Sequence, residues 1–236
     1  LKGEGGKAGA EWLDKEDWNS KLSKNIAATA QAVLEESIYN MVEKLAKTGG
    51  HLSKNLCLAG GTILNCVSNG KILNSDLFDN VFVAPAAGDD GLCVGAALFL
   101  SNQLKKNKKN EVERSVSSGL PYEKLENKEI IDKVSDYIIE GKIVGWFEGG
   151  SEVGPRALGH RSILADARNP LNKDVLNEKV KHREDFRPFA PVVPLEDAEE
   201  WFVLNGQESP FMLYSVRCKR PDDIPSGVHV DDTARV

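Results

Sequence analysis

A short apolar run, a glycine-rich turn and a helical stretch occur twice in succession, and this order constrains the fold more than any other feature of the chain. In the first unit Asn55-Leu-Cys-Leu-Ala59 ends in Gly60-Gly61, and helical spacing follows over about Thr62 to Leu73. In the second, Asp79-Asn-Val-Phe-Val-Ala84 reads as a buried strand and Pro85-Ala-Ala-Gly-Asp-Asp-Gly91 as a tight loop. Leu92 to about Leu104 then reads as a small-residue helix packed on a sheet. Strand, turn and helix repeated in this way predict an α/β fold. Upstream, Leu22, Ile26, Val33, Leu34, Ile38, Met41, Val42 and Leu45 recur at helical spacing from Trp18 to about Thr48, with Gly49-Gly50 as the stop. Residues 1–17 read as a loop or frayed end.

A polar break follows. Lys105-Lys-Asn-Lys-Lys-Asn110 and Ser115–Gly119 have the composition of a linker, placing a first domain over residues 1–104, a linker over 105–122 and a second domain over 123–236. The second domain opens with a helix over Lys128 to about Glu140 and a strand over Lys142–Phe147. A net charge of −6 argues against a nucleic-acid binder, which normally shows a basic face. The four cysteines, Cys57, Cys66, Cys93 and Cys218, form no CxxC pair and no zinc spacing, so a reduced, cytoplasmic setting is expected. No apolar run reaches the roughly 20 residues a membrane span needs.

Leu58-Ala-Gly-Gly-Thr-Ile-Leu-Asn65 joins a strand to a helix. Its glycines allow close backbone approach to a ligand at a helix N-terminus, and they serve packing equally well. Asn65, one turn further in, is placed to hydrogen-bond a ribose or base. In the second loop, between Gly88 and Gly91, Asp89 and Asp90 lie beyond a strand's carboxyl end, where α/β folds hold ligands. On spacing alone the better reading is a helix N-cap; the alternative is a hard metal or metal-bound phosphate.

The richest stretch is Glu152-Val-Gly-Pro-Arg-Ala-Leu-Gly-His-Arg-Ser162. Gly154-Pro155 and Gly159 force turns, from which Arg156 and Arg161 project. Lys179, Lys181, His182, Arg183 and Arg187 follow, the last ahead of Pro188-Phe189-Ala190-Pro191. Arginines on stiff backbone suit forked recognition of phosphate or carboxylate. Interspersed Asp166, Asp174, Glu178, Glu184 and Asp185 leave a solvated charged face as the other reading. No nucleophile emerges: His160 and His182 lack a triad-like Ser or Cys, and His51 and His229 read as ordinary surface or core residues.

Together these motifs resemble the carbamoyltransferase family that includes nodulation and antibiotic-tailoring O-carbamoyltransferases. The resemblance rests on Cys57–Cys66, Phe78–Val83, Pro85–Gly91, Gly145-Trp-Phe-Glu-Gly149, Gly154–Asp166 and Lys179–Pro191. Ser209-Pro-Phe-Met212 and His229-Val-Asp-Asp-Thr-Ala-Arg-Val236 add to it. It implies the C-terminal half of an actin-like (ASKHA) domain followed by an incomplete YrdC-like α/β domain. It also implies formation of carbamoyl-adenylate from carbamoyl phosphate and ATP, then metal-assisted transfer to a hydroxyl of a small acceptor. Carried over, Gly60, Gly61, Asn65, Gly88 and Gly91 would line the nucleotide, and Asp89 would hold a divalent metal, iron or magnesium. Arg156, Arg161, Lys181, Arg183 and Arg187 would grip carbamoyl phosphate and the ATP phosphates. The family's upstream HxxxH metal pair is missing from these residues, and the second domain stops at Val236, so an incomplete enzyme is expected.

Two other classes stay open on the sequence. One is an actin-like kinase or ATPase, which would not need the arginine-rich second domain. The other is a non-catalytic nucleotide- or anion-binding module.

Overall fold

The computed structural model describes residues 19–49, 53–104, 117–118 and 128–236. The loop expected over residues 1–17, His51 and most of the expected linker over 105–122 lie outside them. Contacts divide the chain into two compact units, Leu1–Leu52 and Ser53–Val236. The first is dominated by α1, Lys21–Gly49, with Ile38 and Val42 as its buried positions. The helical spacing of its apolar residues accounts for this element.

In the second unit β1 (Asn55–Leu58) leads through a tight turn at Gly61–Leu64 into α2 (Cys66–Leu73), and β2 (Asn80–Val83) returns parallel to β1. The register pairs Asn55 with Asn80 and Leu58 with Val83. The helix expected from Thr62 is thus two pieces, because Asn65 breaks it in an extended conformation. Leu56, Val81 and Val83 face inward, while Cys57 and Phe82, on the opposite face, are exposed. After a second tight turn at Asp89–Gly91 comes α3, Leu92–Leu104. The sequence predicts this helix packed on a sheet, yet it has no buried residue, and Phe99 is 67% exposed. Its apolar composition is real; among the described residues nothing covers it.

Next along the chain come β3 (Ser117–Ser118), α4 (Lys128–Ile139), β4 (Val144–Phe147), β5 (Ser151–Glu152) and β6 (Arg161–Leu164). β3 pairs with β5 and β4 with β6, both antiparallel. α5 (Asn172–Val175) runs into a wide turn at Leu176–Lys181, which His182 ends in the left-handed region at φ 48°. α6 (Ala198–Trp201) precedes the antiparallel pair β7 (Ser215–Arg217) and β8 (Thr233–Arg235).

The core of this unit joins the two sequence halves. Asn69 on α2 is fully buried and donates from Nδ2 to the carbonyls of Ile63 (2.7 Å) and Leu213 (2.9 Å). Gly70 lies against β7: a Cβ there would fall 2.0 Å from the Ser215 carbonyl oxygen, so only glycine permits this approach. The Tyr214 hydroxyl donates to the Val81 carbonyl at 2.8 Å, and Phe202, Leu213, Val216 and Ala234 fill the space behind. Burial pushes the Tyr214 phenol up to about 12, so it stays a donor across the physiological range. These contacts hold α2, and with it the glycine turn that precedes it, against the β7–β8 pair.

Candidate anion site at the junction of three loops

Two of the three loops meet through backbone. The Gly60 amide donates to the Ala87 carbonyl at 2.8 Å, and Gly60 takes φ 103°, a conformation that side chains disfavour. Gly91 folds back so closely that a Cβ would sit 2.0 Å from the Ala86 carbonyl oxygen. Gly61 is exposed, and Gly88 caps the turn over Asp89–Gly91. Neither Asp89 nor Asp90 makes a side-chain cap bond to that turn, so the cap reading of these carboxylates does not describe the structure. Asn65 caps α2 instead, accepting from the Ser68 amide at 3.1 Å.

The third loop is the arginine-bearing one. Gly154, at φ 107°, brings it onto the second: a Cβ there would lie 3.4 Å from the Pro85 carbonyl oxygen and 3.5 Å from Asp90 Oδ2. Its shape is set from within by Glu152, whose side chain is wholly shielded from solvent. That carboxylate accepts from the amides of Leu158 (2.5 Å) and His160 (2.8 Å) and from Arg161 Nε (2.9 Å). Burial alone would raise its pKa, but these bonds reverse the effect and hold it at about 2. Arg161 also donates from Nη2 to the carbonyls of Gly154 (2.9 Å) and Arg156 (3.4 Å), and its polar atoms are thus largely engaged within the loop.

Arg156 differs. Its Nε is buried without a hydrogen-bond partner among the described residues, and the same holds for Nε of Arg235 on β8. Arg156 and Arg235 both lie close enough to the half-buried Cys66 thiol to act on its ionisation; burial, opposed by their charge, leaves that thiol raised. Burial pushes the Arg235 guanidinium down, and the like charges of Arg156 and Arg183 push in the same direction. Arg235 is therefore within electrostatic reach of two other guanidinium groups, and Arg156 and Arg235 both act on Cys66 at the start of α2. Buried, unpaired donors of one sign are costly unless an anion completes them.

Arg183 is fixed at the edge of this region. Its Nε donates to Asn177 Oδ1 at 2.7 Å, and its guanidinium stacks over the Phe189 ring at 4.6 Å. Arg187 is more peripheral: it is exposed and paired with Glu184 at 2.8 Å. Lys181 is exposed at the end of the wide turn. The structure thus brings the loop that carries Arg156 against the glycine loops and sets Arg235 within reach of the charges of Arg156 and Arg183. It leaves Lys181 and Arg187 at the surface and turns Arg161 inward to Glu152.

Arg235 and Glu152 were visible in the sequence, but nothing there gave them a role. An arginine in the apolar alternation Thr233-Ala-Arg-Val236 is the signal for the first. For the second it is an acid directly ahead of a glycine turn.

Asp89 and Asp90 are exposed, and among the described residues no group of three or more His, Cys, Asp or Glu forms a metal-binding set. The described residues thus form no set of metal ligands around Asp89, and no chemical step is routed through a metal. The arginine cluster, by contrast, fits phosphate.

Residues 9–98 match the family described as carbamoyltransferase N-terminus, and residues 135–236 match that described as carbamoyltransferase C-terminus. The chain belongs to the carbamoyltransferase family. It is 40% identical over 234 residues to nodulation protein NolNO of Sinorhizobium fredii, an alignment covering 90% of this chain and 34% of that protein. It is also 32% identical over 239 residues to the 3'-hydroxymethylcephem-O-carbamoyltransferase of Amycolatopsis lactamdurans, covering 96% of this chain and 44% of the relative. The chain therefore spans less than half the length of these relatives. Among the described residues no helix is long and apolar enough to cross a membrane.

Proposed function

We propose that this chain carries the donor-activating part of an O-carbamoyltransferase that uses carbamoyl phosphate and ATP. The observation that carries the reading is the pair of buried, unpartnered guanidinium nitrogens on Arg156 and Arg235, with Arg183 beside them, in a chain of this family. Such a cluster suits a reaction with phosphate on both reactants.

In the reaction as proposed, water cleaves carbamoyl phosphate to carbamate and phosphate. A carbamate oxygen then attacks the α-phosphorus of ATP, the bond to the β-phosphate oxygen breaks, and pyrophosphate leaves carbamoyl-adenylate. Arg156, Arg235 and Arg183 hold the phosphate oxygens and offset the charge that develops in the transition state. Arg161 and Glu152 fix the loop that carries Arg156, so its donors are oriented before substrate arrives. Gly60 and Gly61, with open space where a Cβ would stand, provide backbone against which a nucleotide can lie closely, and Gly88 and Gly91 shape the adjoining loop, while Asn65 keeps its side-chain oxygen on the helix cap. Lys181 and Arg187 contribute longer-range attraction from the surface.

Transfer then goes to a hydroxyl of a small acceptor. The reading extends, on the family resemblance, to an actin-like domain before a YrdC-like one and to a cytoplasmic setting. An iron or magnesium ion with Asp89 as one ligand belongs to the same resemblance alone. The test is pyrophosphate release from ATP by the full-length protein without acceptor. Release that requires carbamoyl phosphate supports the reading, and a folded protein with no carbamoyl-phosphate-dependent release favours the kinase or binding-module reading.

A further inference from the structure

His229 stands at the turn into β8, the strand that carries Arg235. Its backbone amide donates to the Thr233 carbonyl at 2.7 Å, and its ring Nδ1 lies 2.9 Å from Thr233 Oγ1. The other ring nitrogen, Nε2, is buried and has no partner among the described residues. It shares that condition with the Nε atoms of Arg156 and Arg235. Ser68 Oγ and Asn69 Oδ1 on α2, packed against β7, complete the buried side-chain atoms found without partners. Unsatisfied polar groups are rare in folded proteins, and these fall on α2, on the turn into β8, on β8 itself and on the arginine loop.

The neighbours of His229 fix its tautomer. Thr233 Oγ1 lies 2.7 Å from Asp231 Oδ1, and an ionised carboxylate only accepts, so the threonine proton goes there. Burial works to raise the Asp231 carboxyl, but the bonds from Thr233 outweigh it and keep it ionised. The Ser215 hydroxyl donates to the same Thr233 oxygen at 3.1 Å. Thr233 Oγ1 has no proton left to give, so His229 Nδ1 must be the donor between them. In a neutral ring this leaves Nε2 a bare acceptor. Burial depresses the imidazole pKa; Asp231 opposes that effect, while Arg235 and Lys173 reinforce it, which favours the neutral ring at neutral pH.

Beside a cluster of cationic donors, then, stands one acceptor nitrogen that no residue satisfies. A fully ionised phosphate group fills the donors and offers this atom no proton; an N–H on the same ligand does. Resting on the proposed use of carbamoyl phosphate, we infer that His229 Nε2 accepts a hydrogen bond from the carbamoyl NH2 group and selects carbamoyl phosphate over acyl phosphates without one. Acetyl phosphate presents the same phosphate and a methyl group in place of NH2. It would leave Nε2 buried and unpaired, a discrimination of roughly tenfold or more.

The experiment measures dissociation constants of the full-length protein for carbamoyl phosphate, acetyl phosphate and inorganic phosphate by calorimetry. The wild type is expected to prefer carbamoyl phosphate over acetyl phosphate by about tenfold or more. In His229→Phe that ratio should collapse toward one with inorganic phosphate still bound. His229→Gln, which returns an acceptor near the Nε2 position, should restore part of it. Thr233→Val frees the tautomer and should reduce the ratio without touching the ring, which keeps the question decidable if His229→Phe does not fold. A wild type without preference, or variants that weaken all three ligands equally and keep the ratio, would overturn the inference. A wild type that binds none of the three overturns the proposed function itself.

Discussion

Glu152 holds Arg161 at 2.9 Å while its other oxygen takes the amides of Leu158 and His160, so one buried carboxylate closes the whole arginine loop. The energy of the pair is tempered by Arg161, which remains 40% exposed at its side chain. Replacing Glu152 by Ala should therefore cost about 2 kcal/mol, below the range for a fully buried pair. Urea denaturation of the full-length protein at neutral pH reads this directly.

The same carboxylate predicts an acid dependence. Its pKa falls from an ordinary 4.5 to about 2 on folding, so its contribution is fully present above the unfolded value. As pH drops from about 4.5 toward about 2, protonation removes that contribution. Glu152→Gln should lose stability at neutral pH and show a shallower fall than the wild type across this window. Equal slopes for the two proteins would contradict the assignment.

Gly70 tests how the two sequence halves are joined. Gly70→Ala places a Cβ where the Ser215 carbonyl already lies, at 2.0 Å, and neither is a flexible side-chain end. A loss of about 3 kcal/mol is expected from the backbone shift. The shift should also weaken phosphate binding, because α2 carries Cys66 beside Arg156 and Arg235. Tyr214→Phe is milder: it strands the Val81 carbonyl and should cost roughly 1 kcal/mol by thermal or urea unfolding. It should also remove a phenol that titrates at about 12.

Local patterns were readable because they depend on neighbours in sequence. The strands at Asn55 and Asp79, the glycine turns and the α3 helix all follow from short-range rules, and β1, β2 and α3 formed close to where those rules place them. The break at Asn65 was missed because its cap on α2 competes with continued helix, which apolar spacing does not register. Arg235 joins Arg156 only through the β7–β8 pair and the packing of α2, contacts between residues far apart in the chain. The role of Glu152 was equally hidden, since its ligands lie across a turn whose course depends on Gly154 and Gly159. Arginines alone did not reveal which of them keep free donors; burial and partner geometry decide that.

The central claim is that Arg156 and Arg235 form the phosphate-binding core, with Arg187 outside it. Carbamoyl-phosphate-dependent pyrophosphate release should be compared in full-length Arg235→Ala and Arg187→Ala, with folding checked by circular dichroism. The account predicts a loss of about a hundredfold or more for Arg235→Ala and less than about threefold for Arg187→Ala. Similar rates in the two variants, or a larger loss in Arg187→Ala, would contradict it.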